Sequence, residues 1–323
     1  MKEDSQTNLR IFVGVSACLI GMEVRYDGGH KRDRFVTDML AKYFEFIAIC
    51  PEVEVGMGVP RESVRLAGDP EKPHMVGFKS GKDWTYQMRR FCRNRTRDLA
   101  EHNLAGYILK AKSPSCGIAR VRLRTLSGGA THRLTIGLHA REVMKQYPLL
   151  PIEDEGRLND AGLRENFIVR VFAYDRLQRL FRGGFKRSEA IRFHTGHKYL
   201  ILAHDPRRYS ELGRLVAAIK QLRPTEFAER YSRTFMDALK MKATVRKNVN
   251  VMMHMVGFFK KHIESSDKAY LLSIIEDYHK GLVPLIVPIT LIRHYVQRFD
   301  IEYLADQVYI DPHPKELMLR NHT

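Results

Sequence analysis

Cysteine, tryptophan and acid are all scarce in this chain. Four cysteines in 323 residues cannot staple a fold of this size, so the expected compartment is the reducing cytosol. No two of them have the CxxC spacing of a zinc knuckle. No run approaches the ~20 apolar residues of a membrane helix, so no membrane partner is expected. The opening MKEDSQTNLR is polar and of mixed charge, which does not read as a secretory signal. There is no internal repeat and no low-complexity tract. Acid is outnumbered, 37 Asp and Glu against 54 Lys and Arg, for a net charge of +17. Such a balance points to a polyanionic partner, nucleic acid or an anionic membrane surface. The excess leans towards the second half: residues 1–155 carry 25 basic and 19 acidic residues, net +6, and residues 156–323 carry 29 and 18, net +11.

Against these shortages stand 44% hydrophobic and 28% charged residues, a globular composition long enough for two cores. In the first half, apolar runs at Ile11–Val15, Phe44–Ile49 and Tyr107–Leu109 read as buried strands. Helical spacing at Phe35–Tyr43 and across an arginine-rich Trp84–Leu104 separates them. The alternation predicts an α/β domain, a mostly parallel three-layer sheet of Rossmann-like type, ending in the turn-rich Pro148–Gly156. Asn159 or Asp160 is placed to cap a helix running to Phe181, before Gly183-Gly184. From Ser188 the pattern is helical throughout: Ser188–His204, Glu211–Leu222, Thr225–Lys240, Val245–Ile263, Ser266–Lys280, Pro288–Phe299 and Ile301–Tyr309. The expected organisation is an α/β domain over 1–160, a connecting helix over 161–185 and an all-α basic domain over 186–323.

Cys18, Cys50 and Cys116 each follow a strand candidate, where loops of α/β sheets assemble sites. Three thiolates meeting at one point would leave an open position on zinc, copper or an iron–sulfur cluster. Equally, a free cysteine is an ordinary buried hydrophobe. Cys92, inside the helix candidate, reads as structural.

Five separated motifs decide between these readings. Ser16-Ala17-Cys18-Leu19-Ile20-Gly21, Arg25-Tyr26-Asp27-Gly28, Cys50-Pro51-Glu52, Gly58-Val59-Pro60-Arg61 and Lys112-Ser113-Pro114-Ser115-Cys116-Gly117 resemble, in order, those of the thiouracil desulfidase (TudS) family. Phe193-His194-Thr195-Gly196-His197-Lys198-Tyr199-Leu200 and Asn250 to Lys260 resemble the YbgA-type domain, which occurs fused to it. The fused pair is similar to desulfidases that act on thiolated uridine in tRNA. The resemblance implies that Cys18, Cys50 and Cys116 ligate three irons of a 4Fe–4S cluster, the fourth iron binding the substrate sulfur. It also points to Asp27, Glu52 and Ser113 as the proton-handling residues, and favours 4-thiouridine over 2-thiouridine.

A tRNA partner accounts for the charge as a free base does not. Arg89, Arg90, Arg93 and Arg97 share a helix face. Arg207, Arg208, Arg246, Lys247, Lys260 and Lys261 form further basic clusters able to meet phosphates. Tyr199, Tyr231 and Phe235 interleave with basic residues, as base-stacking platforms or as core. His194, His197 and His204 lie along one helix, suited to an RNA contact or buried hydrogen bonds more than to zinc. No obligate protein partner is evident. A non-catalytic RNA-binding protein with structural cysteines is the alternative from another class.

Overall fold

The computed structural model describes residues 10–322. All but Arg10 of the polar N-terminal stretch lies outside them. The chain divides into two units, residues 1–159 and 160–323.

Eight strands run through the first unit: β1 (Ile11–Ser16), β2 (Phe44–Ile49), β3 (Val64–Ala67), β4 (His74–Gly77), β5 (Gly106–Leu109), β6 (Val121–Arg124), β7 (Ala130–Thr135) and β8 (Ile152–Asp154). Among the described residues three α-helices join them, α1 (Pro51–Glu54), α2 (Thr85–Asp98) and α3 (Leu138–Gln146), and shorter helical segments at Ala17–Ile20, Phe35–Met39 and Leu40–Lys42 lie between the strands. One sheet has the order β2-β1-β5-β8 and is parallel throughout. Its strands β1, β2 and β5 are the apolar runs that the sequence displays, since a parallel sheet is covered on both faces. Val13, Val15, Ile108 and Leu109 are fully buried. Gly14 in β1 lies under the Tyr107 ring, where a Cβ would come within 1.8 Å of the ring.

The expectation of one mostly parallel sheet is incomplete. A second sheet, β4-β3-β6-β7, pairs antiparallel at both ends and parallel at β3–β6. Its strands β3 and β6 are four-residue segments, Val64-Arg65-Leu66-Ala67 and Val121-Arg122-Leu123-Arg124, too short and too charged to stand out. Their inward residues Leu66, Val121 and Leu123 build a core with Met75, Met88, Cys92 and Leu138. Cys92 is there a core residue of α2, as its helical setting suggested. Within Pro148–Gly156, read as turn, β8 forms the sheet's last strand beside β5.

The second unit is helical: α4 (Ala161–Phe181), α5 (Arg187–His204), α6 (Pro206–Ala217), α7 (Pro224–Lys240), α8 (Val245–Val256), α9 (Ser265–His279), α10 (Ile286–Arg298) and α11 (Glu302–Ala305). Asp160 caps α4, accepting from the Leu163 amide at 2.8 Å. α6 begins five residues before the expected Glu211, because Asp205 caps it and Pro206 takes its first position. The expected helix over Ile301–Tyr309 is confined to α11; Val308 instead donates its amide to Gly196 O. Aromatics fill the interior, with Phe227, Tyr231, Phe235, Phe259 and Tyr309 at most 1% exposed. No helix among the described residues is long and apolar enough to cross a membrane.

Candidate active site

Three segments of the first unit bring Cys18, Cys50 and Cys116 to one cavity of about 380 Å³. Cys18 stands in the short helix Ala17–Ile20 that follows β1, and Cys50 at the junction of β2 and α1. Cys116 stands in the loop after β5, and α3 fixes that loop. The amides of Leu138, His139 and Ala140, at the start of α3, donate to the carbonyls of Pro114 and Ser115 at 2.9–3.1 Å. These are donors that a helix start leaves free. The approach is so close that a Cβ on Gly137 would lie 2.5 Å from Ser115 O.

Burial governs the thiols. It pushes Cys18 up to about 11, with neighbouring Cys50 adding to the rise. Burial also raises Cys50, and lifts Cys116 well above the ordinary thiol range against a hydrogen bond with Ser16. Each of Cys18 and Cys50 acts electrostatically on Cys116, so the three thiols share one environment. Cys50 is further held by its amide, which donates to Glu54 Oε1 at 2.9 Å.

The three proton-handling candidates part company. Glu52 and Ser113 line the cavity. Asp27 is not among the lining residues, contrary to the expectation that all three would share it. Its carboxylate accepts from Arg25 at 3.3 Å and from the Gly29 amide at 3.2 Å, an Asx turn in solvent. The Arg25 hydrogen bond, foremost, holds its carboxyl below the usual range. Glu52 is nearly enclosed. Arg61 donates to its Oε2 at 2.6 and 3.2 Å, and Ser115 Oγ donates to its Oε1 at 2.8 Å. Ser113 Oγ accepts the amides of Ser115 and Cys116 at 3.2 and 3.1 Å. It caps the Cys116 turn. Both bonds use oxygen lone pairs, which leaves the hydroxyl proton to donate. Arg61 and Ser115 were not singled out as site residues, although both sit inside motifs that carried the resemblance.

The thiols fit an iron–sulfur group by their chemistry. Three soft ligands from three loops face a single space without a histidine among them. Among the described residues no three His, Cys, Asp or Glu side chains are grouped as ligands of a single metal ion.

The basic candidates are mixed. Arg89, Arg90, Arg93 and Arg97 are exposed along α2, and Arg207, Arg246, Lys260 and Lys261 are exposed in the second unit. Arg208 is instead paired with Asp205 at 2.7 Å, and Lys247 donates to His204 O at 2.7 Å. Both are tied into the helical scaffold. Tyr199, Tyr231 and Phe235 are buried core residues and present no stacking face. His194, His197 and His204 make buried hydrogen bonds to Tyr231 Oη, Phe193 O and Met241 O.

The family described as 2-thiouracil desulfurase matches residues 13–155, and that described as a protein of unknown function (DUF1722) matches residues 198–314. The chain belongs to both families: an N-terminal 2-thiouracil desulfurase domain is joined to a C-terminal YbgA-type domain. The uncharacterised protein YbgA of Escherichia coli is 31% identical over 49% of this chain and 94% of its own length. The uncharacterised protein YbbK of Bacillus subtilis is 31% identical over 35% of this chain and 78% of its own. A solved structure of the [4Fe-4S]-dependent thiouracil desulfidase TudS is 26% identical over 48% of this chain and 98% of its own, with a TM-score of 0.38.

Proposed function

We propose that the protein is a tRNA thiouridine desulfidase. It replaces the sulfur of a thiolated uracil by oxygen, with 4-thiouridine as the favoured target. The observation that carries this reading is the convergence of Cys18, Cys50 and Cys116 on one cavity of a 2-thiouracil desulfurase domain. These three cysteines would hold a 4Fe–4S cluster. When bound, such a cluster supplies a soft Lewis acid for the thiocarbonyl sulfur at its iron without a protein ligand.

The net reaction adds water to the ring carbon and releases hydrogen sulfide, without redox change. Glu52 is the proton acceptor for the water. Arg61 and Ser115 fix its carboxylate while leaving lone pairs free. Ser113 donates its free hydroxyl proton to the ring nitrogen or to the remaining carbonyl of the base. Asp27 acts at one remove, orienting Arg25 at the edge of the cavity. The +17 charge and the exposed arginines and lysines of both units support tRNA as the carrier of that base. The likeness of the fused pair to tRNA desulfidases supports 4-thiouridine.

The test is anaerobic incubation of the iron-reconstituted protein with thiolated tRNA, followed by nucleoside analysis. Conversion of 4-thiouridine to uridine is expected. Glu52→Gln should retain iron and slow conversion at least ~10²-fold, the usual size of a lost general base. Full iron loading without any conversion of thiolated nucleosides sinks the reading.

A further inference from the structure

The second unit holds a cavity of its own, about 450 Å³, lined from α4, α5 and α8 and from Arg320. An ion pair is buried in its wall. Arg320 Nε donates to Glu165 Oε1 at 3.1 Å, with the two side chains 7% and 16% exposed. Arg320 Nη1 donates to the carbonyls of Tyr309 and Ile310 at 2.8 and 3.3 Å, and the guanidinium lies 5.1 Å from the Tyr309 ring centroid. The guanidinium is thus fixed. Taking two such charges out of water is costly, and apolar residues would fill the same space at less cost. Each partner also keeps one arm free: Arg320 Nη2 and Glu165 Oε2 take no hydrogen bond among the described residues.

His204 lies in the same wall, 4% exposed. Its Nδ1 donates to Met241 O at 2.6 Å, and burial lowers the ring to about 4. The imidazole is therefore neutral, and Nε2 is a bare acceptor without a partner among the described residues. Lys242 completes the set. At Gly162, the second residue of α4, a Cβ would come within 2.5 Å of Lys242 Nζ, so the missing side chain lets the ammonium close on the helix start. Asp160 is 3.9 Å from that ammonium, a loose pair with both side chains about half exposed.

The charges at this cavity balance, Asp160 and Glu165 against Lys242 and Arg320. A simple anion meets two carboxylates there and a simple cation meets two cations. A molecule that carries both charges finds a partner for each. The carboxylate and ammonium of an α-amino acid sit on one carbon, and the free arms of the joined Arg320 and Glu165 are likewise neighbours. Val169, Leu200 and Leu285, each at most 3% exposed, give the cavity an apolar wall. We infer that the second unit binds an α-amino acid with an apolar side chain, its carboxylate on Arg320 and Lys242 and its ammonium on Glu165 and His204. This site goes beyond desulfuration and needs neither iron nor sulfur.

Calorimetry on the full chain tests it with leucine, phenylalanine, phenylalaninamide and N-acetylphenylalanine, the last two lacking one charge each. At least one amino acid should bind, and about tenfold or more tighter than either analogue, the scale of one lost charge-assisted hydrogen bond. Glu165→Gln should weaken binding about tenfold and Lys242→Met severalfold. Lys242 is half exposed, so Lys242→Met decides the matter even if Glu165→Gln, which leaves Arg320 unpaired, does not fold. Lys260→Ala, outside the cavity, should bind as the parent does. Absence of binding by both amino acids, analogues that bind as tightly as phenylalanine, or an affinity unchanged by Lys242→Met overturns the proposal.

Discussion

Cys18 and Cys92 share one chemistry: burial holds the first thiol up to about 11 and the second up to about 12. They differ in what they face. Cys18 faces the cavity with Cys50 and Cys116, whereas Cys92 faces Leu66, Met88 and Leu138 in the core. Replacing Cys18, Cys50 or Cys116 by alanine should therefore sharply lower the iron bound after reconstitution and abolish turnover. Cys92→Ala should keep the iron and lose about 1 kcal/mol of stability, the cost of a small core void. Iron analysis and denaturant titration of the four variants check this, and full iron retention in Cys50→Ala would remove Cys50 as a ligand. The residue identities were legible because the strand-end motifs are local and each carries its own chemistry. The partners of Glu52 were not. Arg61 is nine positions away and Ser115 sixty-three, and no local pattern announces which loops will close on one carboxylate.

At the scale of elements, the helical unit buries four of its histidines. Burial lowers His194 to about 4, His197 to about 3, His204 to about 4 and His313 to about 4. All four are neutral in the folded unit and charge in the unfolded chain below about pH 6.5. The unfolded chain then binds more protons, so stability is greatest above that pH and falls as pH drops towards 4. Each histidine contributes up to about 1.4 kcal/mol per pH unit in that window. Thermal unfolding between pH 7 and 4.5 should show a steep loss of stability, reduced in His204→Gln. A flat profile would mean that these side chains are already solvated in the folded state. Helices such as α7 and α8 were readable, since 3.6-residue periodicity persists along them. The second sheet was not, since four-residue strands bearing arginine at every other position, as β6 does, give no such stretch to read. The start of α6 was missed for a related reason. Asp205 and Pro206 form a plain start signal, but they follow His204 directly, with no loop residues to separate two helices.

Across the whole molecule, cysteines and charge are unevenly shared. Every cysteine lies before residue 160, while the net charge is +11 after residue 155 against +6 before it. Under the proposed function, the chemistry would lie in the first stretch and the larger share of phosphate attraction in the second. A thiolated mononucleotide engages only the cavity, and its turnover should depend weakly on ionic strength. Under the proposed function, a tRNA would also meet the exposed Arg207, Arg246, Lys260 and Lys261, and each neutralised phosphate would release counterion. Its apparent affinity should fall with a log–log salt slope of about −0.9 per phosphate contact on duplex regions and about −0.7 on single strands. The target base also has to leave its stack to reach a cavity of about 380 Å³. That requirement adds a cost to tRNA turnover which a mononucleotide avoids, so binding to the rest of the tRNA must offset it. Removing the charges of Arg246, Lys260 and Lys261 together should make the tRNA salt slope shallower by about two to three units. Mononucleotide turnover should stay unchanged. Filter binding and single-turnover assays at salt concentrations from roughly 50 to roughly 300 mM, where counterion release is measurable, read both quantities. An unchanged slope in the triple variant would place the tRNA contacts elsewhere, with the exposed arginines of α2 the next surface to neutralise.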